Sequence, residues 1–326
     1  MIKGQATVVK HTGSHYMLSI LPQWELFPAV LRGKIRLKGS SATNPVAVGD
    51  IVNYEADAES IDQITLENSA VITSVEPRRN YIIRKSTNLS RQSHIIAANL
   101  DRAFLVVTLD FPQVKLPFLD RLLVTCEVYN VPPVIVLNKC DLYGPEHEDM
   151  YAAFHEIYEG AGYRIVDVSA HTGQGVDELR EIISDGVSLF SGVSGVGKSS
   201  LIKALDPSLE PRVGDISDAH EQGRHTTTFY EMYKVRCCHS ELVEESTGFI
   251  VDTPGLRGFG LVDLKKEEIA LYFPEMLKVA EDCRFAPCTH THEPGCAVKE
   301  AVENGVISYD RYSSYLGMLD EEGKYR

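Results

Sequence analysis

Apolar and polar positions alternate in short runs over the first 85 or so residues, with glycine and proline between the runs. Alternation with period two predicts strands at Ala6–Lys10, His15–Ile20, Leu31–Lys38, Asp50–Tyr54 and Ala70–Val75, because successive strand side chains point to opposite faces. Gly13, Gly33, Gly39, Pro45 and Gly49 punctuate them. Five short strands in this length predict a small barrel, with the OB-fold as the leading architecture. The pattern alone does not separate it from other small barrels. The polar, basic stretch Arg78–Ser93 reads as a linker.

From Ala103 the pattern changes. Ala103–Leu109 and Pro133–Leu137 are nearly unbroken apolar runs, and further strands are predicted at Tyr163–Val168, Val187–Ser191 and Gly248–Val251. Helical spacing occupies Pro117–Tyr129, Glu148–Gly160 and Val176–Ile183. Continuous apolar strands alternating with helices predict a mainly parallel sheet covered on both faces. Beyond Asp263 the segments read as helical around a Cys/His cluster. The expected organisation is a multidomain α/β chain: a barrel over residues 1–85, an α/β domain over 86–262 and a helical domain over 263–326.

Charge changes this picture in one respect. The 326 residues carry a formal net charge of −14, which argues against indiscriminate coating of nucleic acid or of a membrane surface. The first hundred residues, however, hold 11 Lys+Arg against 8 Asp+Glu, a net +3, leaving −17 for the rest. Arg32, Lys34, Arg36 and Lys38 recur at every second position, and Arg78, Arg79, Arg84, Lys85 and Arg91 follow. On a strand the first four share a face, either solvated or contacting phosphate. No apolar run approaches the roughly 20 residues that span a bilayer, so no membrane association is expected. The start, Met1-Ile2-Lys3-Gly4-Gln5, lacks an apolar signal core. A reduced, cytoplasmic setting is expected, in which clustered cysteines point to metal rather than disulfides.

Gly192-Val193-Ser194-Gly195-Val196-Gly197-Lys198-Ser199 has the form GxxxxGK[ST], between the strand Val187–Ser191 and a helical stretch that begins at Ser200. Its glycines let backbone N–H groups wrap phosphate oxygens, and the helix N-terminus adds unpaired donors. Lys198 is placed to reach the β- and γ-phosphates, and the Ser199 hydroxyl to ligate Mg²⁺. Asp252-Thr253-Pro254-Gly255 has the form DxxG at a strand end. Asp252 can hold Mg²⁺ through water, and the Gly255 N–H can sense the γ-phosphate. Asn138-Lys139-Cys140-Asp141 follows another strand. A carboxylate there can accept both N1–H and the exocyclic amine of guanine, which adenine lacks. Ser169-Ala170 is the companion loop around guanine O6. Together these motifs indicate guanine nucleotide (GTP or GDP) and a P-loop GTPase.

Their order is a rotation of the usual one. The base-recognition segments precede the P-loop, and DxxG comes last, which a circular permutation explains if the original termini lay close together. DxxG then leads almost directly into the C-terminal region, so nucleotide state is expected to reposition that region. Gly223-Arg224-His225-Thr226-Thr227-Thr228 lies between P-loop and DxxG. A threonine here can complete the Mg²⁺ shell, Thr227 ahead of Thr226. Leu256 stands where many GTPases carry a water-orienting glutamine. His225 is the local candidate to position the attacking water, with a structural role as the alternative.

Cys283, Cys288, His290 and Cys296 are spaced C-x4-C-x-H-x5-C. Three thiolates and one imidazole suit tetrahedral Zn²⁺ in a closed structural site. His292 is a substitute for His290 on spacing alone. Cys126, Cys140, Cys237 and Cys238 show no ligand spacing.

The small barrel, the permuted motif order, GRHTTT, DTPG and the cysteine/histidine spacing together resemble the RsgA/YjeQ family, GTPases of small ribosomal subunit biogenesis. The resemblance spans essentially the whole chain. It implies an OB-fold and a zinc domain flanking a permuted GTPase domain, with binding to the maturing 30S subunit and its 16S rRNA. It also implies ribosome-stimulated GTP hydrolysis and a late assembly checkpoint among assembly factors. The family's nucleotide residues fall on Asn138, Lys139, Asp141 and Gly192 through Ser200, its zinc ligands on Cys283, Cys288, His290 and Cys296, and its catalytic histidine on His225. Cys237–Thr247 is longer and more acidic than the family leads one to expect, and is expected at a hairpin tip. A monomer is expected, since no coiled-coil pattern is present. Two other readings stay open: a GTPase with a non-ribosomal partner, and an RNA-binding scaffold that uses GTP as a structural ligand.

Overall fold

The computed structural model describes residues 1–12, 15–32, 45–85, 93–210, 230–237, 246–253 and 264–324. Strands β1 (Ile2–Thr12), β2 (His15–Ile20), β3 (Glu25–Leu31), β4 (Ile51–Ala56) and β5 (Ala70–Val75) run in the order β1-β2-β3-β5-β4, and β4 closes back on β1. β1 serves two partners: its first half pairs with β4 and its second half with β2, with an irregularity between Val8 and Lys10. A bulge of this kind bends a strand enough for a small sheet to close. The result is the five-stranded OB-type barrel, filled by Val8, Leu18, Phe27, Ala29, Val52 and Ile72.

The third strand corrects the sequence expectation. It is Glu25–Leu31, which the pattern did not predict, while all but Leu31 and Arg32 of the expected strand Leu31–Lys38 lies outside the described residues. Pro28 hides it from pattern reading, because proline argues against a strand. Here Pro28 lies opposite Met17, one residue before the pairing with β5 begins at Ala29. Of the four alternating cations, Arg32 is exposed with Nη1 3.6 Å from the Glu55 carboxylate, while Lys34, Arg36 and Lys38 lie outside the described residues.

The described parts of the expected linker, residues 78–85 and Ser93, are not a linker. Strands β6 (Tyr81–Lys85) and β7 (Ser93–Ala98) form an antiparallel ribbon whose Ile82, Ile83, Ile95 and Ile96 are buried. Arg78 forms a two-point ion pair with the buried Asp50 at 2.7 Å, and Arg79 pairs with Asp101 at 2.7 Å. Arg78 is committed to a buried carboxylate and does not extend a free phosphate-contacting stripe, whereas Arg79 stays largely exposed.

The central sheet contains β8 (Arg102–Val107), β9 (Pro133–Leu137), β10 (Arg164–Asp167), β11 (Val187–Ser191), β12 (Glu231–Cys237) and β13 (Ser246–Asp252). Its order is β10-β9-β8-β11-β13-β12, parallel except for β12. Helices α1 (Leu116–Val128), α2 (Glu148–Gly160), α3 (Val176–Ile183) and α4 (Lys198–Leu205) accompany it. One core holds residues of α1 and α2, the other residues of α3 and α4, as expected for parallel strands buried on both faces.

The barrel joins this sheet along β12. Lys10 of β1 pairs in register with Glu231, and their side chains form an ion pair at 2.6 Å. Trp24 stacks on Phe249 of β13, with ring centroids 5.4 Å apart. The C-terminal region contains a 3-10 helix over Lys266–Tyr272 and helices α5 (Pro274–Ala280), α6 (Ala297–Glu303) and α7 (Tyr309–Lys324). Phe273, Met276, Val298 and Tyr315 form its own core, which also takes Val124 from α1.

Candidate functional site

Four chemistry-bearing segments leave the same edge of the central sheet. Asn138 follows β9, Ser169 follows β10 by one intervening residue, the P-loop follows β11, and Asp252 ends β13. Parallel strands bring their carboxyl ends together, so segments up to about a hundred residues apart meet in one crevice.

Asn138 is buried and ties two of the other segments, and β8, to its own. Its Nδ2 donates to the Val196 carbonyl at 2.8 Å, its Oδ1 accepts from Ala170 N–H at 3.2 Å, and its own N–H donates to Val107 O at 2.9 Å. Gly197 has φ of +89°, and a Cβ there would lie 2.5 Å from Asn138 Nδ2. Only glycine lets the P-loop turn this tightly against the asparagine. Lys139, itself left-handed at φ +66°, donates through Nζ to the Gly195 carbonyl at 2.7 Å and to the Phe111 carbonyl. The Asp141 carboxylate accepts from Ser169 Oγ at 2.5 Å, and the same hydroxyl accepts from Thr172 N–H. Asp141 is thereby oriented while remaining exposed. Burial pushes the Cys140 thiol up to about 12, so it stays neutral at physiological pH and takes no ionic part.

The P-loop closes on α4, with Leu201 N–H donating to Gly197 O at 2.9 Å. The helix begins at Lys198, two residues before the predicted start, which places Ser199 and Ser200 in its first turn. The Lys198 ammonium is buried against the Asp252 carboxylate. Hence the lysine expected at phosphate and the carboxylate expected at Mg²⁺ are paired with each other. Thr253 is buried and its hydroxyl donates to Phe190 O at 2.7 Å. His225, Thr226, Thr227, Gly255 and Leu256 lie outside the described residues. Cys237 pairs with Ser246, so the long acidic connection joins β12 to β13, about 20 Å of strand from Asp252.

The second centre is in the C-terminal region. The ligand atoms of Cys283, Cys288, His290 and Cys296 all lie within 4.8 Å of one another. Cys283 Sγ is 3.9 Å from Cys296 Sγ, and His290 Nδ1 is 3.6 and 3.4 Å from those two sulfurs. Tetrahedral zinc with ordinary bond lengths requires about 3.8 Å between sulfurs and about 3.6 Å from sulfur to nitrogen, so the donor set fits that ion. His290 is buried with Nδ1 facing the thiols, whereas His292 is outside the cluster, with Nδ1 on Thr291 Oγ1 at 2.9 Å. The cluster thus contains His290 and not His292. Tyr312 and Tyr315 of α7 donate to the His290 and Thr289 carbonyls, each at 2.6 Å, and hold the loop from behind.

A third cluster carries no sequence signal. Arg311 of α7 is fully buried, with Asp120 of α1 and Glu275 of α5 as partners. An isolated arginine in a helix reads as a surface residue, and only the packing of α7 on α1 encloses it.

The Gly192–Ser199 loop, the Asn138–Asp141 segment and Asp252, met in rotated order at one sheet edge, are the arrangement of a circularly permuted GTPase. The RsgA GTPase family model matches residues 75–262. The chain is 47% identical over 323 residues to small ribosomal subunit biogenesis GTPase RsgA 2 of Bacteroides thetaiotaomicron, covering 98% of each chain. It is 45% identical to the RsgA of Flavobacterium psychrophilum, covering 98% of this chain and 94% of that one. Among solved structures, YjeQ from Thermotoga maritima aligns over 100% of both chains with a TM-score of 0.77 and 33% identity. YloQ, described as a circularly permuted GTPase, aligns with a TM-score of 0.72 and 25% identity, over 100% of this chain and 96% of that one. The chain belongs to the RsgA GTPase family: it is a GTP-hydrolysing enzyme, and that family implies guanine nucleotide and Mg²⁺.

Proposed function

We propose that this GTPase acts in biogenesis of the small ribosomal subunit, binding the maturing 30S particle late in its assembly and hydrolysing GTP faster when bound there. One observation carries the reading. The likeness to relatives named for that process extends over 98% of both chains, so it takes in the barrel and the Cys/His region as well as the nucleotide site.

In this reading residues 1–85 contact 16S rRNA, 86–262 bind and hydrolyse GTP, and 263–326 form the zinc unit. Asp141 accepts guanine N1–H and its amine, with Asn138, Lys139, Ser169 and Ala170 shaping the pocket. The P-loop from Gly192 to Ser200 wraps the phosphates. On GTP binding, Lys198 exchanges the Asp252 carboxylate for the β- and γ-phosphates, and Asp252 turns to the Mg²⁺ shell with Ser199 and Thr227. His225 orients the water that attacks the γ-phosphorus, giving GDP and phosphate. One zinc ion held by Cys283, Cys288, His290 and Cys296 keeps the C-terminal region folded. The protein works as a cytoplasmic monomer, and its nucleotide state governs the position of the C-terminal region relative to other assembly factors.

GTP turnover measured alone and with purified 30S, 50S and 70S particles tests the proposal. Stimulation by 30S is expected. A non-ribosomal partner gains weight if no particle stimulates turnover. His225→Ala should keep GTP affinity and lose the stimulated rate. Solution scattering with GDP and with a non-hydrolysable GTP analogue tests the movement, and identical curves would exclude it.

A further inference from the structure

Asn138 has four backbone and side-chain hydrogen-bonding groups, and three of them meet the neighbouring strand and loops described above. The fourth, its main-chain carbonyl, accepts from the phenol of Tyr143 at 2.6 Å. The same phenol oxygen accepts the Leu109 N–H at 3.0 Å. One hydroxyl therefore joins the segment after β9 to the segment after β8.

The chain geometry makes this reach possible. Lys139 is left-handed, and Cys140–Leu142 form a single 3-10 turn closed by Tyr143 N–H on Cys140 O at 3.3 Å. The turn brings residue 143 back beneath residue 138. The ring is held from the other side by His147, at 5.5 Å between centroids, and His147 Nε2 is 3.6 Å from the Asp110 carboxylate. Burial pushes the Tyr143 phenol well above its usual range, so the O–H remains both donor and acceptor. The loop after β8 matters to the nucleotide because the Phe111 carbonyl is one of the two that anchor Lys139.

We infer that Tyr143 is a positioning residue for guanine-nucleotide binding, setting the spacing between the base-recognition segment and the loop that anchors Lys139. The inference rests on Asn138–Asp141 being the base-recognition segment. Nothing in the strand pattern or the motifs points to Tyr143, because its role depends on a fold-back through one turn.

The test uses the full chain with Tyr143→Phe, which keeps the ring and removes the hydroxyl. Two main-chain groups, Asn138 O and Leu109 N–H, then lose their partner. Titration with fluorescently labelled GDP should show binding weakened by about tenfold, at unchanged stoichiometry. The KM for GTP should rise by a similar factor, with kcat at saturation held within about twofold, since the reacting phosphate is not touched. A purely structural role would lower the bound stoichiometry or the melting temperature and leave Kd and KM alone, and that result overturns the inference. Asp141→Ala, run in parallel, separates the two claims. If Asp141→Ala weakens GDP binding and Tyr143→Phe does not, only the role of Tyr143 fails. If Asp141→Ala binds GDP like wild type, the base-recognition reading fails and the inference falls with it.

Discussion

Arg311 donates through Nη1 to the Asp120 carboxylate at 2.8 Å, and both side chains are 1% exposed. This contact ties the last helix to the first helix of the GTPase unit, across 191 residues of sequence. Glu275 takes the other side of the guanidinium at 2.7 and 3.1 Å, and the Phe273 ring lies 4.6 Å from it. Burial pushes the Asp120 carboxyl up, and Arg311 works against that by favouring its charge. Removing one partner of such a buried set leaves uncompensated charge. Arg311→Met should therefore destabilise the protein by about 3–5 kcal/mol, measured by urea denaturation. Replacing Arg311, Asp120 and Glu275 together by apolar residues should recover most of that loss. A single-variant loss below about 1 kcal/mol would show that the network is not under this electrostatic load.

Zinc content discriminates the two histidines. One equivalent per chain is expected by elemental analysis, retained in His292→Ala and lost in His290→Ala and Cys296→Ser. A chelator should melt the C-terminal core around Phe273 and Tyr315 while leaving the barrel protected in hydrogen exchange. Uniform protection after metal removal would count against a folding role for the ion.

Asp206 gives the fold an acid-sensitive point. It follows α4, and its carboxylate accepts from Ser208 N–H at 2.9 Å, Ser208 Oγ at 2.6 Å and Arg236 N–H at 3.1 Å. Burial works against its charge, but these hydrogen bonds prevail and hold its carboxyl below the usual range. A carboxyl lowered in the folded state adds stability above its unfolded value of about 3.9, and that contribution fades as pH falls toward the folded value. Asp206→Asn should thus cost stability near neutrality, with the gap to wild type narrowing below about pH 4. Denaturation curves at two pH values decide this, and a constant gap would contradict the assignment.

Trp24 is the only tryptophan in the chain, and it stacks on Phe249 in the strand that ends at Asp252. Its emission should change when GDP is exchanged for a GTP analogue, because movement at the end of β13 is felt at the barrel seam. Lys10→Ala, which removes the ion pair to Glu231, should enlarge that change by loosening the seam. Identical spectra in both nucleotide states would show that barrel and switch strand are uncoupled.

Much of the central fold was legible before the structure. The central strands at 133–137 and 187–191 and the helices at 148–160 and 176–183 appear at their predicted bounds. Long apolar runs and helical periodicity leave few alternatives there. Glu25–Leu31 was missed because Pro28 imitates a break. The ribbon of β6 and β7 was missed because its apolar residues are embedded in basic, polar sequence. His225 and Thr227 carry sequence expectations only, since they lie outside the described residues.

The residue order by itself determined which chemistry the chain can perform. Phosphate wrapping, guanine recognition and zinc ligation each need a few residue types at short, fixed spacing, and that information is contiguous. What only the tertiary structure decided are the partners across long separations. They include Lys10 with Glu231 at 221 residues, Arg311 with Asp120, and Lys198 with Asp252. No period or local spacing sets such pairings, even where each residue sits in a motif of its own. They exist because the parallel sheet gathers its strand ends on one edge, and because the barrel and the last helix pack against particular strands and helices of the central unit.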